Sequence, residues 1–251
     1  MLEDFASTAV PRFADVRWFD EVESTNSVAA DLARREGSAP AIVVVADYQR
    51  SGRGRLGRRW ESPPGCSLLC SVILPPATPD RPAHLATMAL ALAASDACDD
   101  VAGVRPLLKW PNDLLVDGAK LGGILGEILD GVALVMGLGL NLNWAAAGAV
   151  PPGSGVSLDA LAGRTVDRRA LVTAVLLHLD SHLAVPVDGL LDGYRARSAT
   201  VGQRVRLKLG SGTIEGDAVG ISSHGHLLID EAGGGRHVIA AGDVVHVRPV
   251  G

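Results

Sequence analysis

Three short segments constrain the fold most: AIVVVADY at 41–48, SLLCSVILP at 67–75 and VALVMGLGLNLN at 132–143. Each is apolar almost without interruption, the pattern of a strand buried in a sheet. VRWFD at 16–20 and VRPLLKW at 104–110 read as further strands. NDLLVDGAKLGGILGEIL at 112–129 reads as two strands turning on Asp117-Gly118, a favoured hairpin pair. Helical segments lie between. ESTNSVAADLARREG at 23–37 has Ser24 or Thr25 as its N-cap, Arg34 and Arg35 in its last turn and Gly37 as its stop. Residues 81–98 are rich in Ala and Leu and long enough for a helix, and DRRALVTAVLLHLDSHL at 167–183 is a second strong one, capped by Asp167. After Ser198 the period falls to two in RVRLKL, HLLID and VVHVR, with Gly and Asp clusters between. Residues 1–199 are therefore expected to form an α+β domain, and residues 200–251 a small barrel-like all-β domain.

Composition excludes several classes. The 251 residues are 47% hydrophobic and 20% charged, enough to bury a core. A net charge of -5 argues against a general nucleic-acid binder. Three cysteines, Cys66, Cys70 and Cys98, make an odd count without a C-x-x-C pair, so they read as apolar fillers in a reducing compartment. The N-terminus has two acids and no long apolar core, so no signal peptide is expected, and no apolar run reaches the length of a membrane span. A soluble cytoplasmic protein is expected. There are 20 arginines but only three lysines, Lys109, Lys120 and Lys208, and four asparagines, Asn26, Asn112, Asn141 and Asn143. Those rare residues mark the positions to weigh.

RSGRGRLGRR at 50–59 packs five arginines and three glycines into ten positions of an acidic chain. Its GRGRLG matches the G-x-G-x-x-G of a dinucleotide-binding turn, but that turn needs a helix after the glycines. Here RRWESPPG follows, and two prolines with a glycine cannot carry a helix interior. A G-K-[ST] phosphate loop is also absent. Most charge runs are solvated loops, and a single block is no RGG-like repeat. Yet five like charges repel unless something neutralises them. Arginine forks beside bare glycine backbone suit a polyphosphate. On that argument residues 50–60 should be poorly ordered until an anion fills the loop.

Four other stretches hold rare residues: STN at 24–26, KWPND at 109–113, KLGGILGE at 120–127 and GLGLNLN at 137–143. Singly, each reads as an N-cap, a turn or a bulge. Their order STN, YQRSGRGRLGRRW, KWPND, KLGGIL, GLGLN closely resembles the biotin protein ligases across roughly residues 16–248. The resemblance implies a mixed-sheet catalytic domain, like that of class II aminoacyl-tRNA synthetases, followed by an SH3-like barrel. It implies the activity of a biotin–[acetyl-CoA-carboxylase] ligase: biotin and ATP give biotinyl-5′-AMP, and the acyl group then passes to a lysine of biotin carboxyl carrier protein, a domain of acetyl-CoA or acyl-CoA carboxylase.

By the same resemblance Lys120 is the main catalytic lysine, with Arg53 and Asp113 in support. Asp113 either orients the incoming amine or holds the Mg²⁺ that accompanies ATP. Ser24, Thr25, Asn26, Gln49, Gly52, Arg53 and Lys120 are implied to bind biotin, with Gly123, Leu125 and Gly137 lining its apolar end. Arg55, Arg58, Trp60, Asn112, Lys120 and Asn141 are implied to bind the nucleotide. The chain departs from the usual pattern at Arg50, Ser51, Leu56 and Gly122, none of them an implied catalytic group. Some relatives carry an N-terminal DNA-binding domain. With about 15 residues before the first strand, no DNA binding is expected, nor any membrane partner, and the chain is expected to be a monomer or weak homodimer. The rival readings are a lipoate or octanoate ligase or transferase of the same fold, and a non-enzymatic nucleic-acid-binding module.

Overall fold

The computed structural model describes residues 10–38, 41–129, 131–209, 212–231, 233–240 and 242–246. Most of the N-terminal segment read for a leader, and the last two residues of VVHVR, lie outside them. In chain order the elements are β1 Asp15–Val22, α1 Thr25–Glu36, β2 Ile42–Gln49, β3 Ser67–Leu74, α2 Ala83–Ala102, β4 Leu107–Lys109 and β5 Asp113–Val116. Then come β6 Ala119–Leu129, β7 Ala133–Asn141, α3 Leu158–Ala162, α4 Arg168–Ala184, α5 Val187–Ala196, β8 Arg204–Leu209, β9 Gly212–Ile221, β10 Leu227–Glu231, β11 Arg236–Ile239 and β12 Asp243–His246.

The three apolar segments become neighbours. A seven-stranded sheet runs β1-β2-β3-β7-β6-β5-β4, parallel between β1 and β2 and antiparallel elsewhere. Every residue of β3 is buried, because helices cover both faces of the sheet. The larger core gathers Val43 and Val45 with α2 and α4, while Ala29, Leu32 and Ala33 of α1 pack against Val44, Ile73 and Val135. A fully buried Leu or Ile contributes about 1.5–3 kcal/mol, so the continuous apolar runs are what such a central strand requires. The expected hairpin turns on Asp117 and Gly118, both at positive φ, 50° and 79°. The strand expected at 104–110 shrinks to three residues, with Pro106 before it and a cis Trp110–Pro111 peptide after it.

A second, antiparallel sheet runs β11-β10-β9-β8-β12 and buries Val205, Leu207, Ala218, Leu227, Ile229 and Val244. It belongs to the same continuous core as α2. Cys66, Cys70 and Cys98 are free and buried, and burial pushes the Cys70 and Cys98 thiols up to about 12. Among the described residues, no helix is long and apolar enough to cross a membrane.

Candidate active site

Glycine on β7 opens a cleft at the start of α1. Gly137 and Gly139 share one face of the strand, opposite Leu125 and Gly123 of β6. A Cβ on Gly137 would meet Asn26 Oδ1 at 2.1 Å, and one on Gly139 would meet the Trp60 ring at 2.7 Å. The missing side chains are thus two seats, one for an amide and one for an indole.

A bulge aims Lys120 at the same cleft. Leu114 pairs with Gly122 and Leu115 with Lys120, so Leu121 is an extra residue of β6. In a regular strand, residues three apart face opposite sides. The bulge reverses this and brings Lys120 Nζ within 3.2 Å of where a Gly123 Cβ would stand. Lys120 Nζ donates to Asp113 Oδ1 at 2.7 Å and lies 5.9 Å from the centre of the Trp60 ring. Trp60 Nε1 is buried without an acceptor. Such a donor costs about 1–3 kcal/mol, a cost that an acceptor on a bound ligand removes.

The polar end is built on α1. Ser24 starts the helix without a side-chain cap bond. The Thr25 N–H and hydroxyl both donate to Gln49 Oε1, at 2.7 and 3.0 Å. Asn26 Nδ2 donates to the Leu125 carbonyl and to Glu127 Oε2. Ser71 Oγ lies 2.7 Å from both Thr25 Oγ1 and Asn26 Oδ1.

The arginine–glycine loop arches over the other end. No helix follows its glycines; a short 3-10 turn spans Arg55–Gly57, consistent with rejecting the dinucleotide reading. Gly54 N–H donates to the Arg58 carbonyl and Trp60 N–H to the Gly52 carbonyl. The chain's own acceptors take up the arginines. Arg50 turns away to Glu21 and Glu23, Arg53 donates to Glu127 at 3.0 Å, and Arg58 pairs with Asp243 at 2.6 Å. Arg55 donates to Asn112 Oδ1 at 3.0 Å and to the Gly242 carbonyl at 3.2 Å. Mutual repulsion is thus relieved within the protein: Arg50, Arg53 and Arg58 are paired with acids distant in sequence, Arg55 with neutral acceptors, and only Arg59 has its acid, Glu61, nearby in sequence, at 3.9 Å. The Asp243 bond holds Arg58 above its ordinary pKa and Arg58 holds Asp243 below its own. Arg55, more buried, is pushed down by desolvation.

Of the residues singled out in sequence, all but Gly52 and Asn141 line this one pocket. Gly52 lies behind Trp60, where a Cβ would stand 2.3 Å from the Trp60 carbonyl oxygen. Asn141 Nδ2 is turned to the Val156 and Lys120 carbonyls, at 3.1 and 3.4 Å. Sequence reasoning missed Gly54, Arg59, Ile124, Leu138, Gly139 and Asp243 as lining residues, and Ser71 and Glu127 as the supports of Asn26. Gly139 and Glu127 stand inside the quoted motifs; Ser71 and Asp243 carry no local signal.

The pocket joins a neutral hydrogen-bonding end to a cationic end, and comparison with known proteins fixes the family. Residues 18–142 match the model of the Biotin/lipoate A/B protein ligase family, and residues 200–247 that of the Biotin protein ligase C terminal domain. The biotin--[acetyl-CoA-carboxylase] ligase of Mycobacterium tuberculosis is 36% identical over 92% of this chain and 90% of its own length. The bifunctional ligase/repressor BirA of Bacillus subtilis is 31% identical over 89% of this chain and 72% of its own. The biotin protein ligase from Aquifex aeolicus, solved in complex with biotin and ATP, superposes with a TM-score of 0.80 at 28% identity, covering 94% of this chain and all of its own. The chain belongs to the biotin protein ligase family.

Proposed function

We propose that this pocket activates biotin with ATP and hands the biotinyl group to a lysine of a carboxyl carrier protein. One observation carries the reading: Lys120 Nζ stands where the neutral end over Gly137 meets the cationic end under the arginine loop, beside Asp113 and Trp60. In the first step a biotin carboxylate oxygen attacks the α-phosphorus of ATP and pyrophosphate leaves. About five negative charges meet there, so fixed cations are the main catalytic device. Lys120 is a compact charge for the reacting carboxylate and α-phosphate oxygens. Arg53, Arg55 and Arg58 supply forked bonds to the phosphates and carboxylate. In the second step the carrier amine attacks the acyl carbon, AMP leaves, and the amine gives up a proton.

Ser24, Thr25, Asn26 and Gln49 take the biotin ring, with Gly123, Leu125 and Gly137 beneath it. Trp60 and Asn112 take the adenosine. Gly52 and Asn141 act through backbone, Gly52 by letting Trp60 approach and Asn141 by holding the Lys120 carbonyl. Among the described residues no group of three or more His, Cys, Asp or Glu could hold a metal ion. Mg²⁺ would accompany the nucleotide phosphates, and Asp113 is the carboxylate that would meet it, neutralising phosphate charge. We assign residues 1–199 to the catalytic domain and 200–251 to an SH3-like domain whose Asp243 reaches the site. A direct test is to incubate the protein with biotin, MgATP and a carrier domain, and follow biotinyl-5′-AMP and carrier mass. An adduct on the carrier lysine is expected; its absence with biotin, or its appearance with lipoate alone, contradicts the reading.

A further inference from the structure

The Asn26 amide is gripped at both ends, which fixes the atom it offers. Nδ2 donates to the Leu125 carbonyl at 3.2 Å and to Glu127 Oε2 at 2.7 Å. A backbone carbonyl and a carboxylate accept only, so the amide cannot be flipped and both Nδ2 protons are spent. At the other end Oδ1 faces Ser71 Oγ at 2.7 Å. Ser71 is fully buried on β3, directly opposite Gly137. Oδ1 lies over Gly137 in the pocket wall. A carbonyl oxygen accepts two bonds, and the single Ser71 proton is shared between Asn26 Oδ1 and Thr25 Oγ1, so at least one lone pair remains for a ligand, and Asn26 has no proton to give it.

We infer that Ser71 and Glu127 are positioning residues that lock Asn26 as a pure acceptor and thereby select a ligand ring bearing N–H groups, an inference that rests on the biotin reading above. The ureido ring of biotin carries N–H on both sides of its carbonyl; the dithiolane ring of lipoate carries none. A buried acceptor left unpaired is costly, so a site built to receive an N–H rejects an isosteric ligand that lacks it. Glu127 has a further reach. The same Oε2 accepts from Arg53 Nη2 at 3.0 Å, so one carboxylate oxygen ties the ring-binding amide to the arginine loop. Glutamine at 127 would keep the shape but lose the charge that makes both bonds strong.

The test is direct binding by calorimetry on the full chain, with biotin and with its carbocyclic analogue, in which each ring N–H is CH₂. The unsubstituted protein should prefer biotin by at least about 10²-fold. Glu127→Gln and Ser71→Ala should each shrink that preference by about ten-fold, as the amide regains freedom to turn. General damage to the pocket weakens both ligands alike and leaves the ratio where it was. A ratio unchanged in the variants overturns the inference while leaving the biotin reading intact. If the unsubstituted protein binds neither ligand, the biotin reading fails and the inference falls with it. The variants act from opposite ends of the amide, so if one fails to fold the other decides.

Discussion

Arg58 in the arginine–glycine loop forms a 2.6 Å ion pair with Asp243 at the start of β12, joining the loop over the first sheet to the edge of the second. The neighbouring Arg55 donates to the Gly242 carbonyl. The C-terminal β unit is thereby part of the pocket wall.

Because both partners are partly exposed, the pair itself contributes no more than about 1 kcal/mol. Asp243→Asn should accordingly raise the KM for ATP by about two- to five-fold with little change in the KM for biotin. Steady-state kinetics on both substrates checks the split. An unchanged KM for ATP would mean the β unit contacts the loop without aiding it.

Lys120→Ala should cut the rate of adenylate formation by about 10²–10³-fold. Lys120 reaches the pocket from a strand held by backbone bonds and is itself partly exposed, so the melting temperature should barely move. Single-turnover formation of the adenylate and thermal unfolding together separate loss of chemistry from loss of fold.

The two glycine seats give a paired prediction. Gly137→Ala would displace the Asn26 amide and weaken biotin by about 10–100-fold. Gly139→Ala would press on the Trp60 indole, and should act first on the nucleotide. Binding of each substrate to each variant gives the comparison; equal effects on both ligands from both variants would count against the assignment of the two ends.

Acid should loosen the molecule from the β unit. Burial pushes His226 below its ordinary pKa, with His84 and His224 adding repulsion, and burial also lowers His246, helped by Lys109. Folding therefore favours the neutral rings. Their contribution is fully present above the unfolded value of about 6.5 and is lost as pH falls below it toward the folded values. Asp243, held low chiefly by Arg58, keeps its contribution until much lower pH, below about 4. Melting temperature should be level between about pH 7 and 8 and decline below about 6.5. His226→Gln should flatten that decline; an identical slope in the variant would place its origin elsewhere.

The strands and long helices were legible because burial demands apolar residues at fixed periods. Asp167 caps α4 as expected, accepting from the N–H groups of Arg169 and Ala170. The short α5 escaped because Gly189 and Gly193 lower its helix propensity, although Gly193 lies against Leu92 of α2. β9 and β11 were not singled out beside their alternating neighbours. Most of the pocket lining was legible because its glycines, rare asparagines and arginines fall in short motifs. Ser71 was not, since within SLLCSVIL it passes for part of a core strand. Asp243 was not, since only the fold brings it to a loop near residue 58.

The central claim is that the pocket couples biotin to ATP. Biotin-dependent exchange of labelled pyrophosphate into ATP tests it most directly, because exchange requires reversible formation of the acyl adenylate and no carrier. The account predicts exchange with biotin, none above background with lipoate, and near loss in Lys120→Ala. No exchange with biotin, or equal exchange with lipoate, would contradict it.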